Sequence, residues 1–203
     1  MSSLAAFWQD LKGGRLKECV EWLGATRSYT IAKVVDPRSG AGLALRAAEE
    51  DVLLRILCGE QQKVVSSELG IAHSTTSKRH LHALTKLGLV GRPMPIAVVL
   101  AAQCAAQVVV VRTAKTSTFT HDGSTFVVAS VPRPTVHGDT VLTRSEREIF
   151  TFLVEGCSRH EIASSRTTSV QTVSCQLRAI FSKLGICGRH AAIRRAAQFD
   201  WFH

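Results

Sequence analysis

Two hydrophobic periods alternate along the chain, and the alternation happens twice. Over residues 15–36 the segments RLKECVEWL and SYTIAKVV flank GATR, which reads as a strand, a turn and a returning strand. From Ala47 to Cys58 the apolar positions recur at helical spacing and stop at Gly59, as a helix C-terminus prefers. A short second helix is predicted over about 61–69. The third, HSTTSKRHLHALTKLGL (73–89), offers Leu81, Leu84 and Leu87 at three-residue spacing for burial. That leaves Ser74, Ser77, Lys78, Arg79, His82 and Lys86 on its other sides. A fourth helix is expected from about Pro93 towards Gln107.

The same order then returns. VVVVRTAKTSTFT and STFVVASV flank His121-Asp122-Gly123, and Asp-Gly is a strong tight-hairpin signal. Helices follow over Ser145–Glu155, over about 158–166, along VQTVSCQLRAIFSKLGI, and from His190 to about Phe199. Shifted by 97 residues, the sequence lies on itself without a gap. KLGLVGR (86–92) falls on KLGICGR (183–189), Glu49 on Glu146, and Gly59 on Gly156. Only 14 of the 65 pairs from 28/125 to 92/189 are identical, but they sit at turn, cap and core positions. The expected architecture is therefore α+β, mainly α, with two tandem modules. The first spans 1–108 (hairpin about 15–36, helices about 45–107). The second spans 109–203 (hairpin about 109–132, helices about 142–200).

Charge and cysteine usage narrow the function. The net charge is +9, with 13 Lys+Arg against 9 Asp+Glu in residues 1–110 and 12 against 7 in 111–203, so both halves suit a polyanion. Six scattered cysteines without a CxxC pair suggest free thiols in a reducing cytosol. Cys157-x-x-His160 and Cys187-x-x-His190 lack a second ligand pair at zinc-finger spacing, so no metal is expected. The stretch 94–111 approaches membrane-spanning length, but Gln103 and Gln107 interrupt it, and a helix followed by a strand is expected there instead. The N-terminus lacks the charged start and long apolar core of a secretory signal, so a cytoplasmic location is expected. No phosphate-binding glycine loop, HExxH or nucleophile motif occurs, and neither catalysis nor a cofactor is expected.

Short helices joined by tight turns, with a polar third helix, form a helix-turn-helix. Residues 142–193 resemble the LuxR-type (GerE-like) helix-turn-helix of bacterial transcription factors. The matching residues are Leu142, Thr143, Glu146, Glu148, Gly156, Ser158, Glu161, Ile162, Ala163, Ser169, Thr172, Val173, Lys183, Leu184, Gly185 and Arg189. Residues 45–92 resemble it more faintly. The resemblance implies four-helix domains whose third helix enters the major groove, nucleoid association when DNA is bound, and a fourth helix that often mediates dimerisation.

The two copies depart from the family pattern in complementary ways. Thr143-x-x-Glu146 and Ser158-x-x-Glu161 read as capping boxes, whereas Arg46 and Glu60 stand at those places in the first copy. The first copy keeps Gly70 in its turn, where the second has SRTTS. Arg166 stands there for a core leucine and must point outward or find a partner.

Double-stranded DNA is the expected partner, met by helices 74–86 and 170–183. In the first, Lys78, Arg79 and Lys86 suit phosphates, Arg79 a guanine edge, and Ser74, Thr75, Ser77 and His82 line the approach. In the second, Gln171 and Gln176 suit adenine, with Thr172, Ser174, Arg178 and Lys183 beside them. His80 falls on Leu177 and is expected in the core. Ile96, Val99, Leu100 and Cys104 form an apolar stripe. It favours a homodimer through helix 93–107 over an internal pair with half-sites about ten base pairs apart. The competing function is an adaptor or antagonist whose altered modules bind RNA polymerase or another regulator.

Overall fold

A computed structural model describes residues 3–36, 44–135 and 141–202. It opens with α1 (Leu4–Lys12), a helix not expected from the sequence. Leu4, Phe7, Trp8 and Leu11 recur at i, i+3, i+4 and i+7 and are all buried, and the Ser3 hydroxyl accepts the Ala6 amide to cap the helix. The strands β1 (Leu16–Leu23) and β2 (Arg27–Val34) follow, then α2 (Ala47–Leu57), α3 (Gln62–Glu68), α4 (His73–Leu87) and α5 (Ile96–Ala105). The second half repeats this order with β3 (Lys115–His121), β4 (Ser124–Pro132), α6 (Arg144–Glu155), α7 (Arg159–Ser165), α8 (Val170–Leu184) and α9 (Arg189–Gln198). Residues 108–114, expected to begin the strand, are irregular, and β3 starts only at Lys115. No helix of the described residues is long and apolar enough to cross a membrane.

The hairpins do not stay apart. β2 pairs antiparallel with β4, giving one four-stranded sheet in the order β1-β2-β4-β3. The register pairs Ile31 with Val128, and these residues are also 97 positions apart. A residue that pairs with its counterpart under that shift lies on a local two-fold axis, so the two hairpins meet head to head across β2 and β4. Ser28, Thr30, Ala32, Ala129 and Val131 face inward and are buried. Helix α1 lies beside the sheet and α5 packs on its inner face, so one large core draws residues from both halves, with Val52, Ile56 and Val65 forming a small cluster apart from it.

This arrangement corrects the expected dimer seam. Ile96, Val99 and Leu100 are wholly inaccessible and Cys104 is half-buried, because α5 is enclosed by α1, β2, β4, α2 and α9. Three of the four stripe residues are spent inside the chain, which leaves only part of Cys104 to meet a second copy.

The halves also grip each other through helix ends. Gly59, at φ +94°, ends α2 directly against α9, and a Cβ there would lie 2.8 Å from Ala191 Cα. Its counterpart Gly156 ends α6 against the entrance of α5, where a Cβ would lie 3.3 Å from Pro93 Cβ. The last carbonyls of each first helix need donors. In the second half Arg189 donates to Leu153 O and Val154 O, and also reaches Met94 O in the first half. In the first half Gln103 Nε2 donates to Leu57 O at 2.7 Å, and the His190 ring meets Ile56 O at 3.1 Å. Burial, reinforced by the Arg189 charge, pushes the His190 pKa down to about 4.

Candidate nucleic-acid interface

In each half an ion pair fastens the third helix to the first. Lys86 Nζ donates to Glu49 Oε2 at 2.7 Å, and Lys183 Nζ donates to both Glu146 oxygens at 2.8 Å. Each lysine ends a third helix, and each glutamate opens a first helix. Glu49 accepts the Arg46 amide, and Glu146 accepts the Thr143 amide. For Glu49 burial works against ionisation, yet Lys86 and the backbone donors outweigh it and hold the carboxyl low. Lys183 first, then the Thr143 amide, hold Glu146 low in the same way. Lys86, expected at phosphate, and Lys183, expected at the interface, therefore serve to position the third helices. Amphipathic pattern alone gives a lysine a polar side; it does not reveal a carboxylate opposite.

The caps divide as the sequence suggests. Thr143 with Glu146 and Ser158 with Glu161 form both halves of their boxes. Arg46 has no acceptor to offer, so α2 keeps only the returning glutamate. The N-cap of α3 is not the expected Glu60 but Gln61, on which the 97-residue shift sets Ser158, and its side chain supplies no cap. Ser169 caps α8 by accepting the Thr172 amide at 3.0 Å, whereas Ala72 leaves α4 without a side-chain cap.

The turn into α8 is rebuilt around polar contacts. Arg166 donates to Glu148, and to Ser145 Oγ at 2.7 Å, so the expected partner for this arginine lies at the start of α6. The next residue, Thr167, sits at φ +50°, where its counterpart Gly70 sits at +62°. A β-branched residue is strained in that region. Thr167→Gly is expected to raise stability by about 1 kcal/mol, read as a higher urea midpoint at unchanged slope.

On α4 the buried residues are Thr76, Ala83 and Leu87, with His80 half-buried between them. Gln62 Nε2 meets His80 Nδ1 at 2.9 Å, and burial lowers the pKa of this histidine. Leu81 is 51% exposed and points away from the core, against expectation. Steps of three residues drift about 60° backwards on a helix, so Leu81, Leu84 and Leu87 cannot share one narrow stripe. The 97-residue shift carries the missing signal: Leu81 falls on Arg178, which is also exposed.

The outward face of α4 brings together Ser74, Lys78, His82 and Leu81, with Thr75 half-buried at its edge. Ser77 turns instead towards α3, donating to Gln62 Oε1 at 3.2 Å, and Arg79 is half-buried. On α8, Gln171, Thr172 and Arg178 are exposed together with Cys175, Ala179 and Ser182, three residues not expected at the interface. Ser174 and Gln176 are half-buried.

Both outward faces are small or polar near their N-termini and carry a cation further along, Lys78 on α4 and Arg178 on α8. Such a face can enter a groove, bringing a phosphate-binding charge beside groups that meet base edges. No curated relative and no solved structure matches the chain. Residues 140–196, holding α6 to most of α9, match the GerE family, bacterial regulatory proteins of the luxR family. This segment is a LuxR-family helix-turn-helix domain, and a domain of that kind suggests a DNA-binding regulator.

Proposed function

We propose that the protein is a sequence-specific regulator of transcription that presents two reading helices, α4 and α8, from one chain. The observation that carries the reading is the LuxR-family domain at 140–196, whose third helix turns Gln171, Thr172 and Arg178 outward. The repeated element order, the Ile31–Val128 pairing and the matched Lys86–Glu49 and Lys183–Glu146 locks support a second head of the same design. The two halves then stand as an internal pair, in place of the homodimer expected from the stripe on α5.

Selection from randomised duplexes, followed by titration at several salt concentrations, tests this function. One chain should bind one duplex across two half-sites. Lys78→Ala and Arg178→Ala should each weaken binding and lower the salt slope by about one, with melting unchanged. Duplex affinity unaltered in both variants would remove the reading helices from the interface.

A second reading has one observation of its own. The exposed Leu81 is a poor match for phosphate and suits a protein partner for α4, such as another regulator or RNA polymerase. In that case Lys78→Ala would leave duplex binding intact while Arg178→Ala abolished it.

A further inference from the structure

The face of the sheet turned away from α5 carries a surface that duplex reading does not use. The inter-strand registers place Trp22 beside Tyr29 and Phe119 beside Phe126, with ring centroids 5.1 Å apart in both pairs. The pairs are counterparts under the 97-residue shift and occupy diagonally opposite corners of the face. Tyr29 continues across β4 to Ser130 and then Lys115, and Phe126 continues across β2 to Lys33. Ile31 and Val128 form the apolar centre. Trp22 is 61% exposed and Phe119 43%, so the rings face solvent and not a core.

Arg27, Lys33 and Lys115 are the cations that the registers set around these rings. Arg27 lies over the ladder, donating to Ser130 Oγ at 2.6 Å and to the Thr113 and Ser130 carbonyls, and it meets no carboxylate among the described residues. Lys33 and Lys115 likewise form no ion pair among the described residues. Glu21, on the same strand as Trp22, turns inward to Ser28 and the Ile96 amide. A groove of about 450 Å³ runs between Tyr29 and Lys115, with Arg27, Ser117 and Ser130 along its walls.

We infer that this face binds a single strand of nucleic acid, with bases stacked on the two aromatic pairs and phosphates against Lys33, Lys115 and Arg27. The occupant must be anionic and must offer flat apolar faces a few ångströms apart, which an unpaired strand does. A duplex hides its base faces in its own stack, so it cannot use the rings. A second copy of the chain would set Arg27, Lys33 and Lys115 against the same cations, and none of the three meets a carboxylate among the described residues.

The test is fluorescence anisotropy of the full chain with labelled oligo-dT and oligo-U of about 12 nucleotides, neither of which can form a duplex. Binding of both is expected, and the tighter of the two identifies the natural strand as DNA or RNA. Trp22→Ala combined with Phe119→Ala should cost about tenfold or more in affinity. Lys33→Glu combined with Lys115→Glu should weaken binding and flatten its salt dependence. Circular dichroism and melting should match the parent in both, and duplex affinity should hold within about twofold.

No binding of either oligomer, or binding that the sheet variants leave unchanged, overturns the inference. So does a parent dimer in light scattering that Trp22→Ala dissociates, since a second copy would then cover the face. Arg178→Ala separates this inference from the proposed function. Loss of single-strand binding in that variant assigns the strand to α8 and sinks the sheet site alone. Loss of duplex binding alone leaves both readings standing.

Discussion

Gly59→Ala is expected to destabilise the protein by about 3 kcal/mol, a fall of roughly 6–12 °C in melting temperature. Two costs combine at this position. At φ +94° any side chain is strained, by about 1–2 kcal/mol. The new methyl would also lie 2.8 Å from the Cα and Cβ of Ala191, and backbone cannot swing aside as the end of a long side chain can. Helix α9 would have to lift from α2, stretching the contacts of Gln103 and His190 with the α2 carbonyls. Gly91→Ala is the control, because it has φ +73° and nothing within 4 Å of the added carbon. It should cost only the conformational part, about 1 kcal/mol. Equal melting temperatures for the two variants would mean that α2 and α9 have room to spare between them.

Acidification from pH 7.5 to 5 should cost the protein of order 2 kcal/mol before any carboxylate titrates. His190 is the main source. Its folded pKa of about 4 lies below the ordinary 6.5, so between those values the unfolded chain binds the proton more readily than the folded one. The stabilisation is complete above pH 6.5 and drains away as pH falls towards 4. His80, also lowered by burial, adds in the same direction. Below that window Glu49 and Glu146 take over. Both are held under the ordinary carboxylate range, so their contribution is present above it and disappears as pH drops through their depressed values. Urea midpoints measured across this range should fall steeply for the parent and less steeply for His190→Gln. Parallel curves for the two proteins would exclude His190 as the titrating group.

The two periods along the chain locate both hairpins and eight of the nine described helices, because each element's core face repeats at its own spacing. Helix α1 has the same signature in Leu4, Phe7, Trp8 and Leu11, which is overlooked when that stretch is weighed only as a secretory signal. What periodicity could not supply is which elements meet. The pairing of β2 with β4 joins residues about 100 apart, and nothing local to either strand specifies it. That one contact lays the sheet over α5 and turns an expected exposed stripe into core. The same limit governs the interface. The polar side of each third helix is visible in the sequence, but the carboxylates that claim Lys86 and Lys183 lie 37 residues upstream. Conversely, the missing face residues were within reach, since superposing the two halves sets Leu81 on Arg178 and Lys78 on Cys175.

The Ile31–Val128 axis has a consequence for dose. Separate reading heads must first find each other, so the fraction of competent pairs rises with the square of protein concentration when chains are scarce. Under the function proposed above, with α4 and α8 as reading helices of one chain, the heads are joined by covalent peptide and a shared sheet and have no such association step. Occupancy of a target should then climb in simple proportion to copy number, without a threshold, down to a few molecules per cell. Joined heads of that kind would also be released from identity: each could change its outward face without forcing the same change on the other, and Lys78 already stands opposite Cys175.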